Sequence, residues 1–89
     1  MAATTIEVRG DELTIDPAVM ETWAAFKLLR DLDASDDAFA KADATFRLAE
    51  LVSGLTESDI AERCGGDQAD ARAVVEYALE IIKAATPKN

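Results

Sequence analysis

The chain of 89 residues contains no histidine and a single cysteine, Cys64. Without histidine it lacks the commonest general base and the commonest transition-metal ligand. A lone thiol cannot close an intramolecular disulfide, which points to a reducing compartment, with the cytoplasm as the default. No apolar run is long enough to span a membrane, and no membrane partner is expected. The opening "MAATTIEV" has neither the basic start nor the apolar stretch of a signal peptide. Bases are scarce too: nine stand against eighteen acids, for a formal net charge of −9. Such a chain is poorly equipped to neutralise phosphates, so a nucleic-acid partner is not expected. Glycine and proline number only four and two, and no linker, repeat or low-complexity segment is visible.

What is present is enough for one core. Hydrophobic residues make up 49% and charged residues 30%, which predicts one small soluble domain across residues 1–89. Its divisions are a hairpin (1–16), a helical bundle (17–85) and a polar tail (86–89). In "TIEVRGDELTID", Ile6 and Val8 alternate, the pattern breaks at Arg9-Gly10-Asp11-Glu12, and Leu13 and Ile15 alternate again. That is a β-hairpin with a Gly-containing turn. It must pack on something, because an isolated hairpin is marginal in water. The embedded "RGD" is read as that turn rather than as a cell-adhesion tripeptide.

Four helices follow. Asp16-Pro17 opens the first, with Asp as N-cap and Pro in the first turn, and it runs to about Asp33. Ser35 or Asp36 caps a second through "AFAKADATFRLAELVS", ended by Gly54. Thr56 and Asp59 have capping-box spacing at the start of a third, with Leu55 and Ile60 placed as a hydrophobic staple. Gly65-Gly66 stops it. Asp67 caps the fourth, whose buried stripe is Ala71, Val74, Val75, Ala78, Ile81 and Ile82. The predicted fold is mainly α: an N-terminal hairpin packed on about four helices.

The first helix is apolar on two sides. At about 100° per residue, Ala25, Leu28, Leu29 and Leu32 share one face. Val19, Trp23, Phe26 and Arg30 line up on the other. Either the hairpin covers this second face, or the face serves docking or self-association, anchored by the Trp and Arg types that dominate binding hot spots.

Candidate chemistry is thin. "ESDIAERCGGDQADARAVVEYALEII" has helix-turn-helix spacing, with Ala61 in a first helix, Gly65 at the turn and Val74-Val75 in a second. Between Glu57 and Ile82, however, seven acids face only Arg63 and Arg72. Asp67 and Asp70 would stand where base contacts are made, so ordinary helix packing is the better account. Asp31, Asp33, Ser35 and Asp37 begin like a calcium loop, but its sixth and twelfth positions hold Asp36 and Ala42 instead of Gly and Glu. Cys64 has no histidine to activate it, and Glu76 and Glu80, one turn apart beside Arg72, resemble an exposed face. No enzyme activity, cofactor or metal is expected.

The run "GDELTIDPAVMETWAAFKLLRDLD" resembles the small tail assembly chaperones of long-tailed phages and prophages. It has their short hairpin, then "ID", then a helix with an aromatic near its start and "LLRDLD". A modest second helix, a break and the C-terminal apolar "VVEYALEII" fit the same pattern, while "SDIAERCGG" departs from it. The resemblance implies a non-enzymatic protein in a bacterial host. Such a protein binds the long, helical tape-measure protein, keeps it soluble and helps tail-tube subunits assemble around it. Val19, Trp23, Phe26 and Arg30 are then the residues that face the client or a second copy. The family also implies a longer form, made when ribosomes slip near the end of the gene. Pro87-Lys88-Asn89 can be encoded CCA AAA AAC, which contains the slip-prone A AAA AAC, although other codons spell the same residues. The rival readings are a small helix-turn-helix-like DNA-associated regulator and an oligomeric structural or adaptor protein.

Overall fold

In the computed structural model, which describes residues 3–86, the chain opens with an antiparallel hairpin of β1 (Thr4–Val8) and β2 (Asp11–Ile15). Arg9 and Gly10 turn it with φ of 52° and 89°, the pair of positive angles that a two-residue I′ turn requires. The register sets Ile6 opposite Leu13 and Val8 opposite Asp11, so Ile6, Val8, Asp11, Leu13 and Ile15 share one face. On the other face Glu7 stands opposite Glu12, a like-charge pair that works against strand pairing. The hairpin is therefore held from its inner side, where Val8, Leu13 and Ile15 are buried.

The expected first helix is two pieces. Asp16 caps a 3-10 helix, Pro17–Glu21, by accepting from the Ala18 N–H. Thr22 then takes an extended backbone, and α1 (Trp23–Ala34) starts afresh behind it. Thr22 is the cause of the break. Its Oγ1 accepts from the Ala25 N–H at 3.2 Å, while its N–H and its hydroxyl both donate to the Val19 carbonyl. A Thr that ends one segment and caps the next satisfies both sets of backbone groups locally.

The second helix, α2 (Ala38–Ser53), is capped by Asp37, not by Ser35 or Asp36. Ser35 instead closes α1, and its Oγ accepts from the Asp37 N–H. Gly54 ends α2 at φ 80°, as expected of a left-handed cap. Thr56 and Asp59 form a complete capping box on α3 (Glu57–Cys64), and Gly65 stops that helix. A second 3-10 turn, Gly66–Gln68, absorbs Asp67, so α4 (Ala71–Ala85) is capped by Asp70 instead. Of the tail, only Thr86 is described; Pro87–Asn89 lie outside the described residues.

The order of packing explains the architecture. α2 lies against both α1 and α4, α3 rests on α4, and the hairpin touches α2 through β2 and α4 through β1. One hydrophobic cluster takes residues from both strands and all four helices, with Leu48, Ile60, Ala78 and Ile81 fully buried in it. Each such aliphatic side chain larger than Ala contributes about 1.5–3 kcal/mol by leaving water. The stripe on α4 is shifted C-terminally from the expected one. Ala78, Ile81 and Ile82 are buried together with Tyr77 and Ala85, Val74 and Val75 are half-buried, and Ala71 is exposed in the first turn. Among the described residues no helix is long and apolar enough to cross a membrane.

Candidate functional site

Thr22 sets the start of α1 and so decides which way its aromatics point. With the helix beginning at Trp23, Ala25 is buried and Leu28, Leu29 and Leu32 are half-buried toward the bundle. Trp23 and Phe26 are left in solvent at 63% and 52% exposure. Of the two alternatives for this second face, the hairpin does not cover Trp23 and Phe26, because β1 and β2 dock on α2 and α4. The three-residue spacing brings the two rings together at 5.4 Å between centroids, inclined by 20°. Arg30, two turns on, places its guanidinium 5.8 Å from the centre of the Trp23 ring. Stacking and cation–π contact at an exposed site are each worth about 0.5–1 kcal/mol, which favours this arrangement of the three side chains.

Val19 does not join them. The break at Thr22 moves it into the 3-10 segment, where it is half-buried against the core. Of the four residues the sequence aligned, the structure brings together Trp23, Phe26 and Arg30 and diverts the fourth. Beside this patch an open trough of about 630 Å³ runs between α1 and α2, with Leu28 and exposed Leu51 among its walls and Lys27, Arg47 and Glu50 at its edges. Arg47 is held by Asp43 one turn earlier, at 2.9 Å. Phe39, in the first turn of α2, is a further aromatic that nothing covers, and the pattern did not single it out.

The turn of the hairpin forms a second cluster, with a structural task. Arg9 donates from Nε to Glu80 at 3.0 Å and from Nη2 to Glu76 at 3.1 Å. The Glu80 hydrogen bond leads in holding this guanidinium above its usual range. Asp11 accepts a 2.8 Å hydrogen bond from the Tyr77 hydroxyl and lies 3.5 Å from Arg63. Burial, followed by the bond to Asp11, pushes the Tyr77 phenol up to about 12. Both charged residues of "RGD" are thus bound to the chain's own helices. Tyr77 was missed in the sequence because an aromatic between Glu76 and Ala78 carries no sign of which side it takes.

The other constellations resolve into local structure. Asp31 and Asp33 belong to α1, while Ser35 and Asp37 cap the two helices on either side of the break. Among the described residues no group of three or more acidic or thiol side chains is arranged to hold a metal ion. Half-buried Cys64 lies 4.0 Å from the Ala73 carbonyl, across the turn between α3 and α4. That turn is longer than the helix-turn-helix spacing implied, and the Asp70 carboxylate at its end is engaged with the Arg72 N–H. Compared with family models, with curated proteins and with solved structures, the chain matches none.

Proposed function

We propose that this chain is a non-enzymatic protein-binding module that acts as a tail assembly chaperone, holding a helical, tape-measure-like client in solution. The observation that supports it most directly is the stacked, solvent-facing group of Trp23, Phe26 and Arg30 on α1. A solvated Trp–Phe pair has apolar surface to bury, and Trp and Arg are the side chains from which binding hot spots are most often built. Pre-stacking reduces the entropy lost when a partner arrives. The net charge of −9 suits the same task, because a complex carrying it resists aggregation by self-repulsion.

The test is co-expression with a long helical tape-measure protein, the client class that the family resemblance implies. The wild-type chain keeps that client soluble, and a Trp23→Ala/Phe26→Ala variant with an unchanged circular dichroism spectrum does not. Equal solubilisation by the variant would overturn the reading. Mass spectrometry of the native products adds an independent check, since the family resemblance implies a longer form sharing this N-terminus.

A further inference from the structure

A second groove lies away from the aromatic patch, where the end of α1 meets α2 and α4, with an open volume of about 720 Å³. Leu32 contributes to it from α1, nine residues after Trp23 and so about 180° around that helix. The trough exists because of a mismatch in side-chain size. Ala38 and Ala42, one turn apart on α2, face Val75 and Leu79, one turn apart on α4. Two methyl groups opposite two branched side chains leave an apolar channel with the pitch of a helix, into which side chains at i and i+4 can be laid.

The rim has a definite charge. Lys41 and Arg72 stand on opposite walls, both exposed, and among the described residues neither side chain forms an ion pair. The acid on the rim, Glu76, is already engaged by Arg9 at 3.1 Å. On a chain with net charge −9, this apolar channel is flanked by two cations outside any ion pair among the described residues. We propose that this groove binds an acidic amphipathic helix of a partner protein, with the apolar stripe in the channel and carboxylates reaching Lys41 and Arg72. The channel is open along its length, unlike the concave sites that enclose small molecules.

Fluorescence anisotropy with two labelled synthetic helices tests this. Both carry the same leucine stripe; one is flanked by glutamates, the other by lysines. The glutamate helix should bind at least about ten-fold more tightly, although the charge of the whole protein favours the lysine helix. Lys41→Glu/Arg72→Glu should weaken it by about ten-fold or more, and Ala38→Phe, which fills the trough without altering charge, should also block it. Trp23→Ala should leave it unchanged. Tighter or equal binding of the lysine helix, indifference to the groove variants, or no binding of either helix would each overturn the proposal. Loss of binding with Trp23→Ala alone would also overturn it, while leaving the aromatic patch as a docking surface.

Discussion

The hydroxyl of Tyr77 donates a 2.8 Å hydrogen bond to the carboxylate of Asp11, joining the first turn of the chain to its last helix. The bond forms because strand register turns Asp11 to the same face as Val8 and Ile6, toward α4. Tyr77→Phe keeps the ring buried and removes this link. The expected loss is about 1 kcal/mol, since Asp11 is partly solvated and water can replace the donor. Urea unfolding measures it. The pH dependence is separate evidence. A phenol raised from 10.0 to about 12 in the folded protein contributes fully below pH 10, and the contribution disappears as pH rises through about 12. Tyr77→Phe should flatten that alkaline decline.

Asp59 gives the opposite slope. The hydrogen bond from the Thr56 backbone, and after it that of the Thr56 side chain, holds its carboxyl below the usual 3.8. Its contribution is present above that value and is lost as pH falls through the lower folded pKa. Asp59→Asn should therefore shrink the acid-induced loss of stability. Thr56→Ala, which removes the other half of the box, should cost about 1 kcal/mol at neutral pH by denaturant titration.

Arg9 occupies a left-handed turn position at φ 52°, where asparagine is the better residue. Its two ion pairs are solvent-exposed, and such pairs are weak. Arg9→Asn exchanges the pairs for a relaxed turn, and the urea midpoint should change little or rise. A large fall would show that the pairs to Glu76 and Glu80 hold the hairpin in place.

Trp23→Ala separates a surface patch from a core. With Trp23 at 63% exposure, the expected cost is within about 1 kcal/mol and helicity is retained. Leu48→Ala, at a fully buried position, should cost about 2–5 kcal/mol in the same denaturant experiment.

Signals written by one residue type in one place were legible. The Ile6/Val8 and Leu13/Ile15 alternation, the Thr56–Asp59 box and Gly54 each had a single candidate, and each stands where the sequence put it. Ambiguity came from surplus. Ser35, Asp36 and Asp37 can all cap a helix, as can Asp67 and Asp70, and residue type alone does not select among them. Thr22 was invisible because a Thr inside an apolar periodicity reads as helix interior until its hydroxyl is seen to cap Ala25. That one side chain diverted Val19 while leaving Trp23, Phe26 and Arg30 together. The grouping of Trp23, Phe26 and Arg30 was thus legible, but not its exposure, which depends on where the hairpin docks.

The docking of β1 on α4 also bears on how the protein is made. Chains grow at about 5–20 residues per second, so the 66 residues separating Asp11 from Tyr77 take roughly 3–13 s to emerge. Throughout that interval the hairpin has no α4 to meet, and a lone hairpin is marginal. The contact of β1 with α4 is therefore among the late ones to form. Until then the hairpin's apolar side, Ile6, Val8, Leu13 and Ile15, has α2 to pack on through β2 but not α4.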